Sequence, residues 1–307
     1  MLGIITFVKY LNTYIHPIIN IMSPSVPFKT LNNGVKIPEL ALGLWETTNS
    51  ESARVVEDAL NVGYRHFDSA QVYGNENGVC EGIAKWISED TANRHRKDIF
   101  YTTKITEADH GYEKAKASIK ESLKKAAPIG YIDLLLIHSP LSDKEKRLGT
   151  WKAMQEAVEE GSVKSIGVSN YAVPHLKELL GWEGLTIRPV IDQVEINPWL
   201  TRKEIVDFCH ENGMEVEAYC PLTRCKKFDD PLIVKFANKY GKSPAQILIK
   251  WSLQKGFISL PKTTHRERMI SNMDVYDFTM TSEDIAELTH DEEYQVICDW
   301  DPTTYRG

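Results

Sequence analysis

The chain has 307 residues, of which 36 are basic and 43 are acidic, so its formal net charge is −7. This acidic balance, with no basic stripe interleaved with aromatic residues, excludes a protein that binds nucleic acid through its phosphates. Apolar residues make up 42% and charged residues 26%, which is typical of a globular protein that builds either two medium domains or one large α/β barrel.

Residues 1–27 form an apolar leader that polar residues interrupt and Pro17 breaks. A membrane helix needs about 20 mostly apolar residues, and a signal peptide needs a basic start and a small-residue cleavage site. The leader has neither pattern, and it has no arginine, which argues against a mitochondrial presequence. We therefore expect no membrane segment. We also expect residues 1–27 to be either a disordered leader or the result of a start assigned upstream of Met22, and residues 28–307 to form a single folded domain.

The five cysteines are Cys80, Cys209, Cys220, Cys225 and Cys298. Their odd number, the absence of a Cys-x-x-Cys pair and the absence of an Asn-x-Ser/Thr acceptor favour a reducing compartment, so we predict a cytoplasmic protein with free thiols. Cys220 and Cys225 are close in sequence, but no further Cys or His pair completes a zinc set. We predict no metal site.

The first predicted element after the leader is a β-hairpin over Phe28–Lys36, in which Asn33-Gly34 supplies the turn. Eight short apolar runs follow, and amphipathic segments separate them. The runs are Glu39–Leu44, Tyr64–Ser69, Ile99–Ile105, Tyr131–His138, Val163–Ser169, Val190–Ile196, Glu215–Tyr219 and Phe257–Leu260. The clearest helical patterns are Ser52–Val62, Tyr112–Lys125, Trp151–Glu160, Arg202–Asn212 and Pro244–Gln254. Gly63, Gly161 and Gly213 predict the ends of three of these helices.

This alternation predicts parallel β-α-β units. The run Ile132–Ile137 is nearly all apolar, as is expected of a strand that is buried on both faces. A doubly wound sheet is the alternative, but one that binds a dinucleotide normally carries Gly-x-Gly-x-x-Gly after its first strand, and this chain has no such motif. Eight strands in about 250 residues favour a (β/α)₈ barrel with an N-terminal hairpin and a C-terminal tail.

Enzymes on this barrel carry their working residues at the carboxyl ends of the strands. Here those ends hold Asp68, Lys104, His138, Ser169, Asn170, Glu195, Ile196, Asn197, Tyr219 and Lys262. Each residue alone has an ordinary explanation as a helix cap or a solvated charge. Their combination is the stronger signal.

Several motifs share the order and spacing of one family. They are Gly63–Ala70 (GYRHFDSA), Tyr73–Glu76 (YGNE), Tyr101–Lys104 (YTTK), Asp133–His138 (DLLLIH), Gly167–Asn170 (GVSN) and Pro261–Thr263 (PKT). Over Phe28–Asp299 the chain resembles the aldo-keto reductase family, and most of all its fungal NADPH-dependent ketoreductases. The resemblance implies hydride transfer between NADPH and a carbonyl group, the reduction of aldehydes and ketones to alcohols.

The resemblance places the family's catalytic tetrad at Asp68, Tyr73, Lys104 and His138. The set is chemically reasonable, because reduction of a carbonyl leaves an alkoxide that needs a proton, and free tyrosine, with a pKa of about 10, donates it reluctantly. A cation at Lys104 would make the ionised tyrosine more accessible. Asp68 would hold Lys104, and His138 would orient the carbonyl.

The resemblance also implies a cofactor site for NADPH/NADP+ at Ser169, Asn170, Gln193, Tyr219, Leu222, Lys262, Thr263, Arg268 and Asn272. Ser169, Asn170 and Gln193 would bind the carboxamide, and Tyr219 would stack on the nicotinamide. Lys262, Thr263 and Arg268 would take the 2′-phosphate. Thr264–Glu267 reads as a capping box, which predicts a helix N-terminus beside these cations, and such an end favours an anion. Ser271 replaces the Glu that the family often uses near adenine.

The expected substrate residues are Trp45, His138 and Trp300, with Cys298 beside them in the tail. Two departures from the family open the pocket. Ser139 stands where many relatives have Trp, and Thr106-Glu107 replaces a common Trp-Asn pair. The segment between His138 and the helix predicted at Trp151 is short. We therefore expect an open, partly polar pocket that accepts bulky keto esters at least as well as small aldehydes.

The main prediction is a monomer that reduces small carbonyl compounds. Other functions remain open beside it. The same chemistry run in reverse would oxidise an alcohol such as glycerol. The fold also serves as a channel-associated regulatory subunit and as a crystallin, where binding matters and turnover does not. An intact tetrad weighs against such pure binding roles.

Overall fold

A computed structural model describes residues 26–307, and the predicted leader lies almost entirely outside this range. The hairpin consists of β1 (Phe28–Thr30) and β2 (Lys36–Pro38), which pair antiparallel. Gly34 has φ +84°, the left-handed conformation that the predicted turn requires. The Asn32 side chain donates to the Pro189 carbonyl just before one barrel strand, and the Asn33 side chain donates to the Lys164 carbonyl at the start of another. The hairpin therefore covers the amino-terminal end of the barrel.

The eight predicted runs form one sheet of parallel strands. In chain order these are β3 (Leu42–Gly43), β4 (His66–Asp68), β5 (Phe100–Ile105), β6 (Ile132–Ile137), β7 (Val163–Ser169), β8 (Ile191–Glu195), β9 (Glu215–Tyr219) and β10 (Ile258–Leu260). Each strand pairs with the next one along the chain, and bridges Leu40–Ser259 and Gly43–Lys262 join the last strand to the first. The predicted (β/α)₈ barrel is confirmed.

The apolar core is divided by the sheet. Along β6, Leu134 and Leu136 belong to an interior cluster that includes Leu31 and Ile37 of the hairpin. Leu135 and Ile137 point the other way, into the larger cluster between the strands and the helices. Because both faces of β6 are buried, its sequence is apolar at nearly every position rather than at alternate ones.

Ten helices lie within the described part of the chain. They are α1 (Asn49–Val62), α2 (Glu76–Ser88), α3 (Tyr112–Lys125), α4 (Lys144–Glu159), α5 (Val173–Leu180), α6 (Lys203–Glu211), α7 (Pro231–Tyr240), α8 (Pro244–Gln254), α9 (Arg266–Met273) and α10 (Ser282–Leu288). Across residues 26–307, no helix combines the length and the apolar character that crossing a bilayer would require.

Helix α1 begins at Asn49, three residues before the predicted Ser52, and two further helix starts differ from the sequence prediction for reasons visible in the structure. Helix α4 begins at Lys144, seven residues before Trp151, because the Asp143 carboxylate accepts a hydrogen bond from the Lys146 N–H at 2.9 Å and caps the helix. The predicted capping box at Thr264 is wrong. Helix α9 begins at Arg266 without a side-chain cap, and the Thr263 hydroxyl accepts the His265 N–H at 3.2 Å.

The tail after α10 returns across the carboxyl end of the barrel. The N–H of Gln295 donates to the Trp199 carbonyl at 3.0 Å, and the N–H of Ile297 donates to the Glu195 carboxylate at 2.7 Å. Farther along, Arg202 pairs with Asp301 at 2.9 Å and both side chains are mostly buried. These contacts hold the tail beside the strand ends where the candidate residues lie.

Candidate active site

A cavity of about 600 Å³ opens at the carboxyl end of the barrel. Eleven of the residues that sequence analysis proposed line it: Trp45, Asp68, Tyr73, His138, Ser169, Asn170, Gln193, Tyr219, Leu222, Lys262 and Trp300. Cys298, which the sequence placed beside these residues, lines it too. Lys104 lies behind the cavity wall, Thr263 lies just before α9, and Arg268 and Asn272 lie on α9. Parallel strands in one closed sheet bring their ends together, which is why residues far apart in sequence meet here.

Lys104 is the centre of the predicted tetrad. Its side chain is fully buried, and its Nζ donates to Asp68 Oδ1 at 2.6 Å and to the Ser69 carbonyl at 2.8 Å. The third neighbour of Nζ is the Tyr73 hydroxyl at 3.5 Å. The ammonium is therefore fixed between one carboxylate and the phenol at the cavity wall.

Burial and charge shift the pKa of both partners. Burial of the hydroxyl raises the pKa of Tyr73, and the nearby Lys104 cation partly offsets this rise. Burial alone would lower the pKa of Lys104, but Asp68 and Tyr73 outweigh it and hold that pKa above its ordinary value. At neutral pH Lys104 therefore carries its positive charge and Tyr73 carries its proton.

His138 faces the same space. Burial, followed by the Lys104 charge, lowers the pKa of His138 to about 4, so its imidazole is neutral at physiological pH. The ring makes edge-on contacts with Tyr73 and with Trp300, each at 5.8 Å between centroids. The Asn170 amide donates to the His138 carbonyl at 2.9 Å and fixes the backbone there.

Beneath the tetrad, a second buried carboxyl group joins the network. The Gln193 amide donates to Asp68 Oδ2 at 2.9 Å and to Glu217 Oε2 at 2.7 Å. Burial and the neighbouring Asp68 charge raise the pKa of Glu217 to about 8, so this carboxyl group is mostly protonated at pH 7. Sequence analysis missed Glu217, although an acidic residue between Val216 and Ala218 of a buried strand is a visible signal.

The proposed carboxamide residues contact one another. The Ser169 hydroxyl donates to the Gln193 carbonyl at 2.8 Å, and the Tyr219 hydroxyl donates to Asn170 Oδ1 at 2.8 Å. Asn170 has φ +61°, a left-handed conformation that Asn adopts more readily than most residues. The Tyr219 ring is thereby fixed at the cavity wall.

The proposed phosphate residues lie around the start of α9. Lys262 and Arg268 are exposed, whereas Thr263 and Asn272 are buried. Within residues 26–307, neither Lys262 nor Arg268 forms an ion pair. Two cations without a carboxylate partner next to a helix N-terminus suit a bound anion.

The sequence predicted that Ser139 opens the cavity wall beside His138, but Ser139 does not line the cavity. Ser139 is completely buried and its hydroxyl donates to Glu107 Oε1 at 2.5 Å, so the residue that lines the cavity here is Glu107. Burial alone would raise the pKa of Glu107, but hydrogen bonds from Ser139 and from its own backbone outweigh it and the net pKa is lowered. This wall therefore carries a negative charge.

Two aromatic side chains stand at the mouth of the cavity. Trp45 is 41% exposed and Trp300 is 38% exposed. The Arg224 guanidinium lies over the Trp45 ring at 4.7 Å. The two indoles line the cavity from β3 and from the tail, as the sequence indicated.

A further group of side chains at this end of the barrel was not anticipated. Glu195, Cys220 and Cys298 place one ligand atom each within 4.8 Å of one another. The sequence predicted no metal site, because only Cys220 and Cys225 are close along the chain and Cys298 comes from the distant tail.

Comparison with known proteins agrees with this geometry. The model of the Aldo/keto reductase family matches residues 39–292. An uncharacterized oxidoreductase of Saccharomyces cerevisiae is 46% identical over 90% of this chain and 98% of its own length. The glyoxal reductase of Bacillus subtilis is 38% identical over 84% and 90%.

A solved structure shares the architecture. The crystal structure of a Bombyx mori aldo-keto reductase in complex with NADP superposes with a TM-score of 0.79 and 36% identity, over 86% of this chain and 92% of that one. The family match spans most of the chain, as the resemblance in the sequence predicted. The chain belongs to the aldo/keto reductase family.

Proposed function

We propose that this protein reduces aldehydes and ketones to alcohols with NADPH, and that Tyr73 donates the proton. The observation that carries the proposal is the placement of the Lys104 ammonium, 2.6 Å from the Asp68 carboxylate and 3.5 Å from the Tyr73 hydroxyl, at the wall of a cavity. A protein that only binds a ligand has no use for a buried cation aimed at a phenol.

The residues present fit NADPH. The N–H groups of Gln193 and Asn170 and the hydroxyl hydrogen of Ser169 are bonded within the protein, so the side-chain oxygens of these three residues are what remains to accept hydrogen bonds from a carboxamide. The fixed Tyr219 ring offers a flat face for a nicotinamide. Lys262 and Arg268 are unpaired within the described part of the chain, which suits a 2′-phosphate carrying close to two negative charges. The solved relative in complex with NADP supports the same choice. NADPH, when bound, supplies the hydride.

In this mechanism Tyr73 protonates the oxygen of the carbonyl as negative charge develops on it. Lys104 lowers the free energy of the phenolate that remains, because its ammonium lies beside the phenol oxygen in a site with little water. Asp68 fixes the direction of that ammonium. Positioned general acids of this kind contribute about 10²–10⁴-fold to rate.

His138 orients the carbonyl in this scheme rather than supplying the proton. Its pKa of about 4 keeps the imidazole neutral at pH 7, and a neutral ring donates one hydrogen bond without competing as an acid. The Asn170 side-chain amide holds the His138 backbone, and edge-on contacts with Tyr73 and Trp300 hold the ring, as orientation of a reacting group requires.

The charge on Glu107 indicates the substrate class. An ionised carboxylate beside His138 repels a substrate that carries its own carboxylate near the reacting carbonyl. We therefore assign uncharged carbonyl compounds as substrates: aldehydes, diketones and keto esters. The name of the Bacillus relative, glyoxal reductase, is consistent with a dicarbonyl.

The test is loss of reduced-nicotinamide absorbance over a panel of aldehydes, diketones and keto esters. We expect turnover with NADPH, and we expect Tyr73→Phe to retain NADPH binding while kcat falls by at least ~10²-fold. Turnover of a reactive diketone by Tyr73→Phe at nearly the wild-type rate would contradict the assignment of Tyr73. No turnover of any panel member by the wild type would favour alcohol oxidation or a binding role.

We also propose that the protein is a cytoplasmic monomer. The free cysteines of the described chain support a reducing compartment. Size-exclusion chromatography with light scattering tests the monomer.

A further inference from the structure

Three elements bring metal-ligating atoms together at one side of the cavity. Glu195 ends β8, Cys220 directly follows β9, and Cys298 lies in the tail. Their ligand atoms, one carboxylate oxygen and two sulfurs, are all within 4.8 Å of one another. Among residues 26–307, no other set of three or more His, Cys, Asp or Glu side chains reaches this proximity.

The donor set has the character that Zn²⁺ and Cd²⁺ prefer. Zinc binds thiolate sulfur at about 2.3 Å and carboxylate oxygen at about 2.0–2.2 Å, in tetrahedral geometry. Ligand atoms bound to one such ion are then roughly 3.5–3.8 Å apart, so separations of up to 4.8 Å need only small side-chain movements. Soft thiolates select these ions over Mg²⁺ and Ca²⁺, which prefer oxygen.

The surroundings hold two of the ligands in place. Glu195 is fully buried, and its carboxylate accepts the N–H groups of Ile297 and Cys298 at 2.7 and 3.4 Å. These bonds fix the tail at Cys298 and leave other lone pairs on the carboxylate free. Cys220 has φ +54°, a conformation uncommon outside glycine that brings it away from the strand direction at this point.

We propose that Glu195, Cys220 and Cys298 form a binding site for one soft divalent cation, Zn²⁺ or Cd²⁺. The three protein ligands leave the fourth tetrahedral position to water or to a molecule in the cavity. Both cysteines line the cavity beside Tyr219. An ion bound here narrows the cavity at the position assigned to the nicotinamide, and it joins the tail to two barrel strands.

The direct test is titration of the reduced, tag-free full-length protein with Cd²⁺ alone, followed by the thiolate-to-cadmium charge-transfer absorbance. Calorimetry with Zn²⁺ gives the stoichiometry. We expect one ion per chain. Cys220→Ser and Cys298→Ser should each weaken binding by more than the ~10–100-fold that loss of an outer-shell partner costs. Circular dichroism checks that both variants fold.

Cys225→Ser is the matched control, because Cys225 is exposed and lies close to Cys220 in sequence but outside the triad of Glu195, Cys220 and Cys298. It should keep wild-type affinity and stoichiometry. Absence of metal uptake by the reduced wild type would overturn the proposal, and so would uptake that survives both triad variants or that is lost in Cys225→Ser.

A second measurement rests on the proposed reductase function. Zn²⁺ should inhibit carbonyl reduction in the wild type, EDTA should reverse the inhibition, and Cys298→Ser should resist it. The charge-transfer and calorimetric measurements need neither NADPH nor turnover. A failure of the proposed activity therefore leaves the metal site testable, and a failure of metal uptake leaves the activity untouched.

Discussion

Replacing Arg268 with alanine isolates the part of cofactor affinity that comes from the 2′-phosphate. Arg268 is exposed on α9 and its side chain forms no ion pair within the described residues, so its removal should leave stability nearly unchanged. A charge-assisted hydrogen bond contributes about 1.5–3 kcal/mol. Solvent exposure reduces this, and at ~1.4 kcal/mol per decade the expected loss in NADPH affinity is ~10–100-fold.

The assay is titration of each protein with NADPH and with NADH, followed by quenching of protein fluorescence. NADH lacks the 2′-phosphate, so Arg268→Ala should change its affinity little. Arg188→Ala is the matched control. It removes the same charge from an exposed position just before β8, at the end of the barrel opposite the cavity.

Three outcomes would contradict this prediction. Equal weakening of NADH and NADPH binding by Arg268→Ala would show that Arg268 supports the fold of the site rather than the phosphate. Equal affinity of the wild-type protein for the two cofactors would remove the NADPH assignment itself. A comparable loss in Arg188→Ala would mean that net charge alone accounts for the effect.

Three further predictions concern the interior, the cavity wall and the leader. The pKa of Glu217 is about 8 in the folded chain and about 4.3 in an unfolded one. Between these pH values the folded state holds a proton that the unfolded state releases, so the free energy of unfolding falls as pH rises from about 4.3 to about 8. Glu217→Gln should flatten that part of the pH profile in urea unfolding, and a profile parallel to the wild type would refute it. Glu107→Gln should raise kcat/KM for a keto acid by about tenfold, because it removes a repulsion of ~1.4 kcal/mol between Glu107 and the substrate carboxylate. The value of kcat/KM for the matching keto ester should stay nearly unchanged. Equal changes for acid and ester would show that charge is not the cause. Deleting residues 1–21 should leave Tm and activity unchanged, and a Tm lower by several degrees would show that the leader packs on the barrel.

Most of the fold could be predicted from the sequence because local patterns determine it. The apolar run at β6, the turn at Gly34 and the helix ends at Gly63, Gly161 and Gly213 are all visible without tertiary information. The start of α4 is not visible in the sequence because four charged residues fill its first turn, Gly149 interrupts its second, and only the Asp143 cap indicates the helix. The capping box at Thr264 failed because α9 begins one residue later than the box requires, with His265 rather than Thr264 at the N-cap and no side chain capping it.

The site was predictable where its residues follow strand ends. Asp68, His138 and Tyr219 follow from strand positions that can be counted, and Tyr73 follows from the family motif. Glu217 could not be assigned a role, because its effect depends on the Gln193 amide that joins it to Asp68. The proximity of Cys220 to Cys298 could not be predicted either, because only the return of the tail brings the two side chains together.

Some residues of the site belong to the hydrogen-bond network under the cavity, and others lie outside it. Asp68, Lys104, Gln193 and Glu217 are linked from β4, β5, β8 and β9 across the interior of the barrel, so substitutions among them should combine non-additively. Trp45, Glu107 and Trp300 lie on loops and in the tail, outside these bonds. The loops can therefore diverge to admit new substrates while the chemistry beneath stays intact, and directed evolution of this enzyme should begin at those three positions.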